Sequence, residues 1–260
     1  MQTEKYLYTI LLIIVLVELQ AQNYDYVIEY DYQHQTDSID KNSIETERML
    51  LLYSNKKSHF LSKSKFQLDT VRNKYGNDLQ KLLAFKSTIP KNRVKFEVIK
   101  NFDDSLTSSY YENIFIHNYK NNYHKALEYE LVDKDTILLG YNCKMAKANL
   151  SGRKYTLWYS PEISINDGPY KFSGLPGLVL EVYDDKRQHI FELVKIEIKE
   201  VIYNPNYRNI INASMKEIAK VRKNQIENIK NSGFNMSPEI LEKAKKKLSS
   251  YNNPIELTDE

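Results

Sequence analysis

The sequence predicts a mainly β protein of the α+β class, built on a curled antiparallel sheet or half-barrel with a helical insertion and C-terminal helices. Stretches in which Tyr, Val and Ile alternate with polar residues recur up to about residue 202, and a period of two is typical of strands. Short turn signals join several of these stretches, as antiparallel neighbours require. Beyond residue 203 the apolar residues recur at helical spacing instead.

The first 21 residues have the pattern of a secretory signal peptide. Lys5 and the chain amine precede an apolar run over residues 7–17, and the small Ala21 precedes a polar, extended segment. The apolar run is too short to span a bilayer comfortably, although an uncleaved signal anchor is the alternative. We therefore expect an exported protein, periplasmic or secreted, without a transmembrane anchor after cleavage.

The charge balance argues against a nucleic-acid partner. Removal of residues 1–21 changes the formal charge from +3 to about +4. The lysines are spread along the chain rather than striped on one face, which is not the pattern of a nucleic-acid-binding surface. An exported protein would also rarely meet nucleic acid.

The size and the cysteine content predict one domain that is held together by its core. About 240 residues remain after cleavage, enough for one β-rich domain. Cys143 is the only cysteine, so an internal disulfide is impossible and a buried, inert thiol is expected, with a reactive or intermolecular thiol as the alternative. We assign the antiparallel β domain to residues 22–202. Residues 203–260 form a helical segment packed on or beside the sheet.

Six stretches before residue 150 have strand character. They combine β-branched or aromatic residues with alternating polarity, and polar or glycine breaks separate them. A helical insertion near residues 69–86 interrupts the series, because apolar residues there recur at helical spacing around Gly76. The predicted strands cover residues 24–32, 48–54, 94–99, 110–119, 126–131 and 136–148, the last as a strand pair or a bent strand.

A hairpin opens the second part of the β region. Ser151 and Gly152 give a two-residue turn signal, since Gly takes the positive φ that tight hairpins need, and residues 153–159 form the return strand. The apolar run over residues 178–182 predicts a strand that is buried on both faces. Residues 188–200 alternate and follow it after a further turn.

Two helices are predicted after this last strand. Residues 213–231 carry apolar residues near one face and stop before Gly233. The second helix begins at Ser237 and continues to about residue 250, because Ser is a good cap and Pro suits the first helical position.

Residues 158–182 form the most unusual segment of the chain. They hold the only tryptophan, three of the seven glycines and three of the seven prolines. Gly supplies backbone conformations closed to other residues and Pro fixes φ, so this density predicts a closely specified backbone. We expect a strand end at Pro161, a loop that crosses to the next strand, and a tight turn before that strand. The expected architectural residues are Gly168, Pro169, Gly174, Leu175, Pro176 and Gly177.

The same segment resembles the signature of the GLPGLI family, secreted proteins of the Bacteroidetes. Residues 174–179 read Gly-Leu-Pro-Gly-Leu-Val, with Val in place of the final Ile. The family's function is unassigned, so the resemblance implies export and an architecture but no reaction. The order of elements is also similar to that of the periplasmic half-barrels that carry lipoproteins. The resemblance extends to Gly-Pro-x-Lys-Phe at residues 168–172, Trp-Tyr and Pro-Glu-Ile within residues 158–163, Arg153, Gly140, Cys143, and the Asn-Pro-Ile-Glu-Leu that ends at Leu257.

No familiar catalytic or metal-binding motif accompanies this segment. The five histidines show no metal-ligand spacing, so we expect them to be surface or strand residues and expect neither a metal nor a cofactor. The glycine-rich stretch opens a strand and not a helix, which excludes a phosphate loop. The histidines are His34, His59, His117, His124 and His189.

Two carboxylates keep a hydrolase interpretation open. The turn between them could bring Glu162 and Glu181 together, as hydrolysis by paired carboxylates requires. The alternative, which we favour, is that Glu162 caps the crossing loop and that Glu181 pairs with Arg153 or Lys171. Asp167 and His189 are further titratable residues near the segment.

The aromatic side chains around the segment favour a binding or accessory protein over an enzyme. On the concave face of a curved sheet they would hold an apolar or amphipathic ligand, or they would simply fill the core and leave no cavity. The long charged C-terminal helices instead suit an envelope protein as partner, and a purely structural envelope protein is a further alternative. The candidate binding residues are Arg153, Trp158, Tyr159, Tyr170, Lys171 and Phe172.

Overall fold

The computed structural model describes residues 22–76, 78–102, 107–123, 127–225 and 237–257. The predicted signal peptide, residues 1–21, lies outside the described residues. The same holds for His124 and for residues 226–231 of the helix predicted over residues 213–231.

Twelve strands and four helices are present in the described part of the chain. The strands are β1 (Gln22–Gln35), β2 (Ile44–Tyr53), β3 (Lys57–Ser62), β4 (Phe96–Asn101), β5 (Thr107–Ile114), β6 (His117–Tyr123), β7 (Tyr129–Leu138), β8 (Tyr141–Leu150), β9 (Arg153–Ser160), β10 (Leu178–Asp184), β11 (His189–Tyr203) and β12 (Ile210–Asn212). The helices are α1 (Lys63–Tyr75), α2 (Leu79–Thr88), α3 (Met215–Lys223) and α4 (Pro238–Ser249).

All twelve strands belong to one curled sheet, in the order β12-β6-β5-β4-β3-β2-β1-β11-β10-β9-β8-β7. Every neighbouring pair is antiparallel except β12 with β6, which is parallel. β1 lies in the middle, pairs with β2 on one side and with β11 on the other, and so joins the early strands to the late ones. The predicted fold class, a curled antiparallel sheet with a helical insertion and C-terminal helices, is confirmed.

Local signals set several boundaries of these elements. The hairpin at Ser151 and Gly152 is present, with φ of 46° and 79°. The helical insertion consists of two helices and begins earlier than predicted, because the Ser62 side chain accepts a hydrogen bond from the Lys65 amide and caps α1. The strand predicted over residues 110–119 is two strands, since Phe115 has a φ of 59° and starts a turn there. The strands β3 and β12 were not predicted.

Residues 161–177, here called the crossing loop, connect β9 to β10 across one face of the sheet. Its side chains Tyr170 and Phe172 are fully buried in a single apolar cluster with residues from both halves of the sheet, among them Tyr30 and Tyr155. The Tyr30 hydroxyl also donates a 2.7 Å hydrogen bond to the Val179 carbonyl, just beyond the loop. The crossing loop thus fills the space around which the sheet curls.

A buried ion pair attaches the crossing loop to β4. The Lys100 ammonium binds the Asp167 carboxylate, and it donates a 2.8 Å hydrogen bond to the Gly168 carbonyl. Both charged side chains are 0% exposed. Burial raises the pKa of Asp167 and lowers the pKa of Lys100. The positive charge of Lys100 partly offsets the first shift, and the negative charge of Asp167 partly offsets the second. The loop is thereby held against a strand on the far side of β1.

Helix α1 covers part of the opposite face of the sheet. Phe66 of α1 packs on a second apolar cluster that includes Leu61 and Tyr203. The polar groups beside it are paired: His59 Nε2 lies 2.9 Å from Glu97 Oε2, and the Tyr203 hydroxyl donates to the Asp69 carboxylate at 2.8 Å. These buried groups stabilise the helix on the sheet. The polar groups named here are all paired with one another, so the candidate site lies on the other face, beside the crossing loop.

Two glycines of the Gly-Leu-Pro-Gly turn have different reasons to be glycine. Both have positive φ, 96° at Gly174 and 139° at Gly177. A Cβ at position 177 would lie 2.0 Å from the Ser160 carbonyl oxygen, whereas a Cβ at position 174 would meet nothing within 4 Å. Gly177 therefore allows the backbone of the turn to approach the end of β9, and Gly174 supplies only the conformation.

This difference predicts unequal effects of the same substitution. Gly174→Ala should lower the free energy of unfolding by about 1–2 kcal/mol, the cost of a left-handed backbone for alanine. Gly177→Ala adds the clash with Ser160 and should cost more than about 4 kcal/mol or prevent accumulation of folded protein. Urea unfolding measures the free energy of unfolding of both variants, and the soluble yield measures how much folded protein accumulates. Equal losses at the two positions would show that the close approach at Ser160 does not exist.

Candidate functional site

A cavity of about 1040 Å³ opens beside the crossing loop. Its wall is built from the end of β1, the segment before β4, β5, and the helices α3 and α4, and Tyr170 of the crossing loop also lines it. The elements that form it are far apart in the sequence. The curl of the sheet and the position of the loop bring them together.

One side of the cavity is an aromatic surface. Phe96 lies edge-on to Tyr170 with ring centroids 5.0 Å apart, and it lies 6.1 Å from Tyr32 and 6.2 Å from Tyr110. Alternation along β1 and β5 directs the tyrosines to this face, and the core behind them fixes the rings. Ile114 and Met215 extend the apolar lining. Phe96 and Met215 are the part-exposed members of this lining, whereas Tyr32 and Tyr110 are 2% exposed and Tyr170 is 0% exposed. An apolar group in the cavity would therefore contact Phe96 and Met215, with the tyrosine rings packed behind them.

Two histidines stand next to the aromatic surface. The Tyr32 hydroxyl lies 2.7 Å from His189 Nδ1, and the His34 ring stacks on Tyr32 with centroids 4.7 Å apart. The two imidazoles lie 6.4 Å apart at an angle of 11°. Burial lowers the pKa of both, that of His189 well below its ordinary value, and the Arg153 charge adds to the effect on His189. Both imidazoles are therefore neutral at neutral pH.

Four buried polar atoms in the cavity wall have no hydrogen-bond partner among the described residues. They are His34 Nδ1, Glu45 Oε2, Asn92 Oδ1 and His189 Nε2, and all four residues line the cavity. Buried polar atoms in proteins are nearly always paired. Such a group of unpaired atoms on one wall is typical of a surface that receives a polar ligand or water.

The C-terminal residues 252–257, here called the tail, form the rim of the cavity and are bound by the β8–β9 hairpin. Arg153 donates to the Asn253 side chain and to the Pro254 carbonyl, both at 2.8 Å, and it pairs with Asp184 at 2.9 Å. The Tyr155 hydroxyl donates to the Ile255 carbonyl at 2.7 Å. Arg153 therefore acts as a clamp on the tail.

Glu256 of the tail is the centre of a second buried charge network. Its carboxylate lies 2.5 Å from the Lys171 ammonium, accepts a hydrogen bond from the Tyr170 hydroxyl, and accepts another from Ser151 at 2.9 Å. Lys171 also lies 4.4 Å from the centroid of the Tyr123 ring. Burial lowers the pKa of Lys171, against the opposing charge of Glu256. The crossing loop and the tail thus hold each other in place.

Helix α3 is held by a third network of this kind. Arg222 binds the Glu112 carboxylate through two nitrogens, at 2.9 and 2.5 Å, and the Tyr110 hydroxyl donates to the same carboxylate at 2.8 Å. A guanidinium and a carboxylate joined by two parallel bonds define an orientation as well as a distance. This pair fixes the helical wall of the cavity relative to β5.

The structure places the six predicted binding residues in four environments. Tyr170 lines the cavity. Tyr159 and Phe172 are buried in the apolar core, and Trp158 lies on the opposite face of β9 from Tyr159. Arg153 and Lys171 bind the tail. Four of the six architectural residues, Gly168, Pro169, Leu175 and Gly177, are buried in or beside the crossing loop, whereas Gly174 and Pro176 are exposed.

The two candidate catalytic carboxylates do not line the cavity. Glu162 is exposed and accepts a hydrogen bond from the Asn142 amide. Glu181 lies 3.6 Å from Arg187 and opposite Glu192. The expected pairing of Glu181 with Arg153 or Lys171 is therefore wrong. The strand register is the reason, since it places Glu181 opposite Trp158 and brings Asp184 towards the end of β9 where Arg153 lies.

Sequence reasoning did not identify most of the cavity wall. Tyr32 and His34 follow each other at a spacing of two in β1, a signal that they share a face. His189 reaches them only because β1 pairs with β11, where His34 lies opposite His189. Among the described residues, no group of three His, Cys, Asp or Glu side chains is arranged to hold a metal ion. None of the described helices is long and apolar enough to cross a membrane.

Comparison with known proteins supports the fold and leaves the activity open. A family model described as "Protein of unknown function (Porph_ging)" matches residues 110–181, from β5 to the strand after the crossing loop. Crystal structures of PNGF-II in space groups P21 and C2 are similar, with 15% sequence identity, a TM-score of 0.51 and 77% of this chain covered. This chain spans only 33% and 32% of those chains. No curated protein matches the chain.

The buried histidines predict a loss of stability at mildly acidic pH. Their pKa values in the folded protein lie below the ordinary value of about 6.5, so the unfolded chain binds protons that the native protein does not. The free energy of unfolding should therefore fall as the pH drops below about 6.5, with a slope of up to about 1.4 kcal/mol per pH unit for each proton.

Denaturant unfolding between pH 8 and pH 5 measures this dependence. The His34→Gln/His189→Gln variant should have a flatter profile below about pH 6.5 than the wild type, whatever its absolute stability. Parallel profiles for the two proteins would contradict the buried, neutral state of the histidines.

The tail network predicts a large effect of a small change near the chain end. Glu256→Gln leaves the buried Lys171 without its counter-charge and should cost about 3–5 kcal/mol of stability. Glu239→Gln, in the exposed pair with Lys243 on α4, is the matched control and should cost less than about 0.5 kcal/mol. Thermal and urea unfolding compare the two. A Glu256→Gln protein as stable as the control would show that the tail is not docked.

Proposed function

We propose that this chain is an exported binding protein of the GLPGLI family, which holds an apolar or amphipathic ligand in the cavity and does not transform it. The observation that carries the proposal is the cavity itself, which combines an aromatic surface with unpaired polar atoms. Its volume of about 1040 Å³ is at the upper end of the range for small-molecule sites. A ligand with an apolar body and a polar end would match both parts of the wall.

The positions of the carboxylates support binding over hydrolysis. Neither Glu162 nor Glu181 lines the cavity, so neither could act on a ligand bound there. Two of the carboxylates that do line it, Glu112 and Glu256, are already engaged by Arg222 and Lys171. Carboxylates held in strong ion pairs position the wall and are poor general acids or bases.

The assignment to an exported family rests on the sequence. The pattern of residues 1–21 supports export to the periplasm or the cell exterior, and residues 174–179 support the family. The likeness to PNGF-II concerns the fold and contributes nothing to the choice of ligand. An intact mass of the exported protein that still contained residues 1–21 would contradict cleavage.

A neutral apolar probe tests the binding function. N-phenyl-1-naphthylamine should bind the protein with a stoichiometry of one and gain fluorescence, because the aromatic wall excludes water from the probe. Ala219→Trp places a large side chain into the cavity from α3 and should weaken binding at least about tenfold. Ala84→Trp, on the exposed face of α2, is the matched control and should bind as the wild type does.

Two outcomes would overturn the binding function. The first is a folded wild-type protein that does not bind the probe or a homologous series of alkyl ligands. The second is binding that Ala219→Trp leaves unchanged, which would place the ligand outside this cavity.

A further inference from the structure

One end of the cavity concentrates positive charge. The segment before β4 contributes Lys91, Arg93 and Lys95, and α4 contributes Lys245 and Lys247. Of the glutamates in the lining, Glu112 and Glu256 are neutralised by ion pairs, which leaves Glu45, 3.7 Å from Arg93. Lys245 pairs with Glu242 at 2.6 Å, so the excess of positive charge at the mouth of the cavity comes from Lys91, Lys95 and Lys247.

The segment that carries these cations is fixed in place. The buried Glu47 carboxylate on β2 accepts hydrogen bonds from the backbone amides of Arg93 and Val94, both at 2.7 Å. The end of α4 is fixed by Tyr251, which donates to Glu45 at 2.7 Å, and by the Asn252 amide, which donates to the Thr36 carbonyl at 3.1 Å. The two groups of lysines are thus held towards each other by the fold.

Like charges meet across the mouth. Lys91 and Lys247 line the same end of the cavity, and the Lys247 ammonium lowers the pKa of Lys91. Burial and the charges of both lysines also lower the pKa of Lys95. In the part of the chain that the structure describes, none of the lysines Lys91, Lys95 and Lys247 forms an ion pair with a carboxylate. Such an arrangement is unfavourable alone and becomes favourable when an anion binds between the cations.

We propose that the ligand carries an anionic oxygen headgroup, a phosphate or a carboxylate, which binds between Lys91, Arg93 and Lys247 at the mouth of the cavity. The apolar part of the ligand then lies against Phe96 and Met215, in front of the buried rings of Tyr32 and Tyr110. This inference rests on the proposed binding function and specifies the ligand class. The unpaired Asn92 Oδ1 in the same wall accepts a hydrogen bond from a hydroxyl of the headgroup region.

Displacement of N-phenyl-1-naphthylamine by alkyl ligands of equal length tests the inference. The ligands are dodecyl phosphate, dodecanoate and uncharged dodecanol, each below its solubility or micelle limit. At least one of the two anions should bind at least about tenfold more tightly than dodecanol. Their advantage should shrink between 50 and 500 mM NaCl because salt screens the charges, whereas binding of the alcohol should not weaken. The ratio of the two anions identifies the headgroup.

Substitutions locate the headgroup. Lys91→Gln and Lys247→Gln should each weaken binding of the preferred anion about tenfold, the loss expected for one charge-assisted hydrogen bond, and should leave dodecanol binding unchanged. Lys243→Gln on α4, a lysine that pairs with Glu239 and does not line the cavity, is the control and should bind normally. Without ligand, Lys91→Gln should melt at or above the wild-type temperature, because it removes repulsion from Lys247.

The outcomes separate this inference from the function on which it rests. Equal binding of the anions and the alcohol overturns the anionic headgroup and leaves the binding function intact. A preference for anions that neither lysine variant reduces overturns the headgroup position. A protein that binds neither the probe nor any alkyl ligand overturns both proposals.

Discussion

The fold depends on keeping the crossing loop inside the curled sheet, and the buried pair of Lys100 and Asp167 is the interaction that does so. Either charge alone would be costly to bury, so the loop is stable only where the two meet. With the loop in this position, Tyr170 and Phe172 pack against both halves of the sheet, and Lys171 lies where Glu256 can reach it. The wall of the cavity is a consequence of this placement.

A loop can occupy a protein interior only if its backbone groups are paired. The crossing loop achieves this largely within itself and with the start of β10: the Gly174 amide donates to the Asn166 carbonyl at 3.1 Å, and the Val179 amide donates to the Asp167 carbonyl at 3.0 Å. The glycines make this compact path possible. A Cβ at Gly168 would lie 2.7 Å from that of Val179, so the loop and the strand approach closely there. The glycine- and proline-rich segment is therefore part of the architecture, and the candidate ligand site lies next to it.

The sequence predicted those elements whose structure depends on residues that are close together in the chain. Alternation identified most strands, Ser151-Gly152 identified a hairpin, and Ser237 identified the start of α4. The density of Gly and Pro identified the crossing loop. The stack of Tyr32, His34 and His189 could not be predicted from the sequence. It requires the pairing of β1 with β11, which no local pattern specifies. The docking of Glu256 on Lys171 was missed for the same reason.

The central position of β1 has a consequence for the rate at which this protein forms. β1 begins the described chain, and its partner β11 follows almost all the other strands, so the two can pair only after a very long loop has closed. Proteins dominated by such distant contacts fold slowly, since the entropy of closure is lost before the contacts form. We expect folding in seconds rather than milliseconds, with the two halves of the sheet present as separate, partly exposed hairpins until β1 joins them.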